Sequence, residues 1–534
     1  MPLFLIATAC VLTAQAPAQS LTPRDSAFHA LNRLAYGARP GEADSVARLG
    51  VMRWIERQLE PDRIDDSRLA ERERQFKILD YDRAELAGRF ADARRERQRM
   101  QREAAASGDS NRLKGAEGAG GAGGAAPMRE FRELGGELQQ LAVVRAAVSE
   151  RQLREVMVDF WTNHFNVFVG KGADRFLMPS YIEETIRPRA LGRFEDLLIA
   201  TAESPAMLFY LDNAQSVAPG SSPPRPRAFL SPFRRPRFGQ NEMPEDRRRR
   251  QPTGINENYA RELLELHTLG VDGGYTQQDI IEVARIFTGW SIERPDQGAG
   301  FVFHDWAHDG GTKHVFGMTF QDDGKDEGIR LLKYLAMQHA TMHHVSAKLC
   351  ARFVADEPPD GCIDAAVATW QQTHGDIRAV LRAIFTSPDF WARQAIRSKV
   401  KTPFEFVVSA VRAAGIEPDD TPRLAQLVAR LGEPLYQQPA PTGYAETESQ
   451  WVNSGALLAR MNAAMLIAKE CSSIPDIDAH AELVDAIDRK LLAGTMSAHT
   501  RSVILEQLND INDPEQARAM AVGLALGGPD FQRQ

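Results

Sequence analysis

Three groups of residues have the types and spacing that chemistry needs. On a helix expected over 257–269, Asn258, Glu262 and Glu265 share one stripe, with Arg261 at its edge and His267 turned toward Leu263 and Leu264. Two carboxylates three residues apart, beside a His, can ligate a metal or act as acid and base. The plainer account is a polar face tied through Arg261 and neighbouring helices, and the spacing departs from the Glu-x-x-His pattern of di-iron bundles. The second group is DFWTNHFN over 159–166, where His164 lies between Asn163 and Asn166 among aromatic residues. A His held by Asn in such a pocket can be a general base or a ligand. A core histidine with its hydrogen bonds met is the other reading.

The third group is rich in His. His304, His308 and His314 stand with Asp305 and Asp309, while His339, His343 and His344 open the helix before Lys348. Together they hold six of the 12 His, enough for a zinc or other transition-metal site, with His304, His308 and Asp309 as its weak candidates. No HExxH pattern supports them, so no ligand set and no cofactor follow from spacing. The chain also has no P-loop, no G-x-G-x-x-G after a strand, no G-x-S-x-G elbow and no C-x-x-C-H. Those absences argue against ATP use, nicotinamide chemistry, ordinary serine hydrolysis and covalent haem.

The elements that must position these residues read as helices. The expected class is all-α: one large multi-helix assembly, at most one small β-hairpin at about 300–320, and two flexible inserts. An N-terminal helical region is expected over 26–103. A Gly/Ala-rich linker follows over 104–127, then a main helical region over 128–534. An irregular Arg/Pro-rich insert interrupts the latter at 214–253. Between Arg225 and Arg250 it carries nine Arg against three acids, which suits either an acidic partner or a solvated disordered loop. Thr276 with Asp279, and Thr402 with Pro403 and Glu405, are expected to start helices.

Composition narrows the class. The chain has 534 residues, 43% hydrophobic and 25% charged, too apolar for general disorder. A mean hydropathy of −0.36 excludes a multispan membrane protein. Net charge is −8, which argues against nucleic acid as a partner. Residues 1–11 are almost all apolar, too short a run to span a bilayer. Ala16-Pro17-Ala18 then offers a cleavage site, so a signal peptide is expected over 1–18, though no Lys or Arg follows Met1. Cys350 and Cys362 can pair across a turn at Pro358-Pro359, or both remain buried thiols.

Several stretches together resemble one family: HALNRLAYGARPGE (29–42), VMVDFWTNHFNVF (156–168), SPAMLFYLDN (204–213), NENYARELLELHTLGVDGGYTQQDI (256–280), ARIFTGWSI (284–292), KVKTPFEFVVSAVRA (399–413) and PTGYAETESQWVNSGALLARMN (441–462). They resemble the bacterial family catalogued as domain of unknown function 1800. The resemblance implies an exported, mainly helical protein with no established activity. It also implies association with a second exported family that resembles sulfatases. Two functions are therefore expected. One is a periplasmic or envelope binding or assembly factor acting with an exported, sulfatase-like partner. The rival is a metal-assisted hydrolase of a cell-surface or extracellular polymer, with His164, Glu262 and Glu265 in one pocket.

Overall fold

The computed structural model describes residues 21–107, 126–223 and 254–534. Helices dominate it, so the chain is mainly all-α. Where one hairpin was expected, two small antiparallel ones stand. Trp290–Ile292 pairs with Phe301–Phe303, and Lys313–Val315 pairs with Met318–Phe320. The first starts earlier than expected because Gly289 sits at φ 83 and turns the chain out of the Gln277–Ile286 helix. A Cβ there would lie 2.7 Å from the His304 carbonyl oxygen, a position only Gly fills without strain.

The apolar core is continuous from Ala27 near the start to Phe531 near the end. At its centre lie two helices with little solvent contact. In Gln152–His164 the Leu153, Val156, Met157, Phe160 and Trp161 side chains are buried. In Pro403–Ala414 every residue is buried. Its two charged residues, Glu405 and Arg412, are each paired within the interior, and the helix starts at the expected cap. The Thr402 hydroxyl accepts from the Glu405 N–H, and the Glu405 carboxylate accepts from the Thr402 N–H at 2.8 Å. The same reciprocal box joins Thr276 and Asp279.

Both expected inserts fall mainly outside the described residues, at 108–125 and 224–253. Their edges need correction. Helix Arg83–Ser107 runs past residue 104, and Ala126–Val148 begins before residue 128. Residues 214–218 do not belong to an irregular insert. Ser216 and Val217 are buried, and the Ala218 N–H reaches the Ala307 carbonyl at 2.8 Å. Satisfied backbone groups fix this strip to the body.

Cys350 and Cys362 are joined by a disulfide, both buried, while Cys471 is a buried free thiol. The bond ties the end of helix His339–Phe353 to the start of Asp360–Thr373. Replacing both with Ala is expected to lower unfolding free energy by about 3 kcal/mol, the loop-closure value for a loop of this size. Denaturant titration with and without reductant checks it; an unchanged midpoint in both would refute it.

Candidate functional site

A polar cavity in the core does not contain the carboxylate pair of the 257–269 segment. It lies between the two central helices and encloses about 550 Å³, counting its open mouth. Helix Gln152–His164 presents Asp159, Thr162 and Asn163 to it, the i, i+3, i+4 face. Helix His339–Phe353 contributes Arg352, and the Thr402 cap contributes Glu405. The loop after residue 431 contributes Glu433, Tyr436, Tyr444 and Glu446. A second cavity of about 410 Å³ abuts the first and shares Asp159, Thr162, Leu435 and Tyr436. Tyr36, Glu155 and Arg187 line its far side.

Local geometry holds the loop in place. The Asn163 side chain accepts from the Tyr444 N–H at 2.7 Å and donates to the Tyr444 carbonyl at 2.9 Å. This close approach requires Gly443, at φ 72, because a Cβ there would meet the Asn163 backbone oxygen at 2.4 Å. Tyr436 itself sits at φ 62. A bulky side chain in the left-handed region costs of order 1 kcal/mol or more and persists where the surroundings over-determine it.

The charges of this cavity are unequal. Arg352 and Glu405 form a buried ion pair. Burial works against Glu405 ionising, but Arg352 and the hydrogen bonds from Thr402 and Gln534 hold its carboxyl below the usual range. Asp159 has no such support. Burial pushes it up to about 7; Arg352 offsets this in part, and the carboxylates of Glu446 and Glu405 add to it. Glu433 is raised as well, by burial and then by Asp159. One cavity thus holds a carboxylate fixed as an anion and two carboxyls poised to carry a proton. Titratable groups driven apart in this way are what acid–base catalysis uses.

His164 lies behind this cavity. Its Nδ1 accepts from Lys348 Nζ at 3.1 Å and its Nε2 donates to the His267 carbonyl at 3.2 Å. The rings of His267 and His344 each stand 6.3 Å from its own. Burial, then Lys348, holds His267 down to about 3 and His344 to about 4. His164 and His267, from two separate groups of the sequence, are neighbours here, and His344 and Lys348 join them. All three rings are neutral core groups at ordinary pH.

Glu262 and Glu265 make no hydrogen bond or ion pair with His164. The reason is the backbone. The expected α-helix becomes a π-helix at Leu263–His267, after a short α segment Asn258–Glu262. The wider turn moves His267 inward and leaves both carboxylates half-exposed on the other side. Glu262 is raised by partial burial and by Glu265. Glu265 accepts from the Tyr275 hydroxyl at 3.4 Å. Arg261 pairs with Glu257 at 3.4 Å rather than with either, and the Asn258 side chain donates to the Leu211 carbonyl.

The His-rich segment separates too. His304 stacks near Trp306, and Asp309 is held by Arg285 at 2.8 Å. Only His308 joins a group with metal-ligand spacing, with Asp322 and Glu327, whose ligand atoms lie within 4.8 Å of one another. The ammonium of Lys313 already sits against Glu327 at 2.7 Å and His308 at 3.4 Å. A built-in cation already engages two of the three groups.

The cavity residues Tyr36, Arg352, Glu405, Glu433, Tyr436, Tyr444 and Glu446 were not singled out in the sequence as site residues, although Asp159 stood beside one that was. A signal existed. Tyr36, Asp159, Glu405 and Tyr444 all fall in stretches that carry the family resemblance, yet their types suggest nothing until the fold gathers them. No curated protein and no solved structure matches the chain. The family model described as a protein of unknown function, DUF1800, matches residues 29–533, and the chain belongs to that family.

Proposed function

We propose that this protein is an exported hydrolase that works by general acid–base chemistry in the Asp159 cavity, on a cell-surface or extracellular polymer. One observation carries the reading: carboxyls of opposed protonation preference, Asp159 and Glu433 against Glu405, converge in a single concave site. In this reading the ionised Asp159 takes a proton from water while Glu433 gives one to the leaving group. Export is supported by the Cys350–Cys362 bond, since such bonds persist in oxidising compartments, and by the apolar start of the sequence. No helix among the described residues is long and apolar enough to cross a membrane.

The test is product release from envelope polysaccharide fractions of the host, followed by mass spectrometry. The wild type is expected to release soluble fragments, with a rate limb near the Asp159 value of about 7. Asp159→Asn is expected to slow release by about 10²–10⁴-fold, the usual contribution of an acid–base group. Unchanged release by that variant would sink the proposal.

A second reading, a binding factor for an exported, sulfatase-like partner, is favoured by one surface. Leu457, Leu458 and Leu466 are 43%, 64% and 49% exposed on helix Ser454–Ala468, and Leu466 also lines a groove walled by Leu424 and Leu427. In this reading Leu458→Asp weakens the partner complex and leaves hydrolysis untouched. Equal binding by that variant in titration with the purified partner would reject it. The Arg-rich insert is proposed to meet an acidic surface.

A further inference from the structure

We propose that the groove beside Leu466 takes an amphipathic helix of a partner protein, with an apolar stripe for the groove and carboxylates along its flank. The inference deepens the reading of the chain as a binding factor and rests on that reading.

Helix Ser454–Ala468 carries more apolar surface than its own packing uses. Its inward side is occupied. Ala463, Ala464, Ile467 and Ala468 are buried, and helix Pro514–Gly527 comes so near that a Cβ at Gly523 would fall 2.1 Å from the Met465 Sδ. Its outward side places Leu458, Asn462 and Leu466 four residues apart, with Lys469 just past the end. Residues at that spacing share one face, so the leucines form an exposed stripe. A helix apolar all round belongs inside, yet this side of it lies open. Single exposed leucines are ordinary, whereas a stripe that leads into a groove marks an interaction site.

The groove has an apolar wall and a cationic rim. Ile416, Leu424, Leu427 and Ile467 line it with Leu466. It encloses about 780 Å³, counting its open mouth. Arg423, Arg430, Lys469 and Glu470 complete the lining. Glu470 is taken by Arg423, whose second guanidinium nitrogen reaches it at 2.9 Å. Among the described residues no carboxylate pairs with Arg430 or Lys469, and both are exposed. This surplus runs against a chain whose net charge is −8. An apolar groove is filled by an amphipathic helix, and two unpaired cations beside it select one flanked by Asp or Glu.

Other occupants match less of this. A second copy related by a two-fold axis would set these cations against their own kind. The stretch between Arg225 and Arg250 would add nine Arg against three acids, and residues 1–11 offer apolar groups with no carboxylate. A lipid surface is recognised by clusters of about four to eight Lys or Arg, more than the two left unpaired here.

Fluorescence anisotropy with the full chain tests this on three labelled helical peptides. One carries Leu at i, i+3, i+4 and i+7 with Glu elsewhere, the second replaces Glu by Lys, and the third scrambles the first. The Glu peptide is expected to bind at least about tenfold more tightly than the others, and less so as salt is raised. Leu466→Asp should weaken it at least about tenfold, since the new carboxylate meets apolar groups and like charge. Arg430→Glu with Lys469→Glu should turn the preference toward the Lys peptide. These side chains are exposed, so the variants should unfold at the wild-type midpoint. Equal binding of the Glu and Lys peptides, or Glu-peptide binding unchanged in Leu466→Asp, overturns the proposal. So does a dimer, or binding to phosphatidylglycerol vesicles, that Leu466→Asp abolishes. If a purified sulfatase-like partner binds through Leu458 while the Glu peptide does not bind, the helix inference falls and the binding-factor reading stands. If the peptide binds as expected and that partner does not, the named partner falls and the chemistry of the groove stands.

Discussion

Arg352→Met is expected to destabilise the protein by about 3–5 kcal/mol at neutral pH, the range for breaking one side of a buried ion pair. The Arg352 and Glu405 side chains are 4% and 6% exposed, so water replaces the lost partner poorly. Glu405 would then stand as a buried anion beside Asp159, Glu433 and Glu446. The pH dependence gives the mechanism. In the wild type the folded Glu405 value lies below the unfolded one, so its stabilisation is present above the unfolded value of about 4.3 and disappears as pH falls through the folded value. In Arg352→Met the shift reverses, and the loss grows as pH rises above about 4. Adding Glu405→Gln should recover much of the loss, because no uncompensated charge remains. Chemical denaturation of the wild type, both single variants and the double variant at pH 5 and pH 8 checks this. A single variant as stable as the wild type at pH 8 would contradict it.

Asp159→Asn is expected to move stability in the opposite direction while slowing the proposed hydrolysis. The folded value of about 7 exceeds the unfolded value of about 3.9. The native state therefore holds the proton more tightly, and the group costs stability progressively as pH rises from about 4 to 7. At pH 8 that cost reaches up to about 4 kcal/mol, at 1.36 kcal/mol per unit. Asn keeps the size and never ionises. The variant should match the wild type near pH 4 and exceed it at pH 8. A site kept at the expense of stability is kept for function. A variant less stable than the wild type at pH 8 would show that the carboxylate serves structure instead.

Local signals in the sequence proved legible where chemistry is local. The capping boxes at Thr276 and Thr402 form from residues three apart, and the helical class follows from periodicity. The pairing of Cys350 with Cys362 stayed open in the sequence, where buried free thiols read equally well, and the structure joins them. The carboxylate stripe at 258–265 was not legible, because a π-turn at Leu263–His267 changes the spacing from which a stripe is computed. Side-chain periodicity carries no mark of that. The first hairpin was hidden because Trp290–Ile292 continues an apolar helical pattern, and only Gly289 marks the break. Lys313 could not be foreseen as the cation of the His308 group, since strand pairing brings it there. The Asp159 cavity was hidden for a related reason. An Asp, a Glu, a Tyr and an Arg are ordinary surface residues in sequence, and burial alone gives them their character.

The cavity also bears on how the chain matures. Its walls come from Tyr36, Asp159, Arg352, Glu405 and Glu446, which stand far apart along the chain. Contacts between distant segments must close long loops and form late in folding. On the proposal of export, a chain that crosses a membrane in an extended state, amino terminus first, would bring Tyr36 and Asp159 out early and Glu446 late. Until the segment with Glu405 arrives, Arg352 has no partner and Asp159 titrates as an ordinary solvated acid. On the hydrolase proposal, acid–base chemistry would thereby be withheld from nascent and half-folded molecules, and the assembled cavity would arise only with the last large packing step.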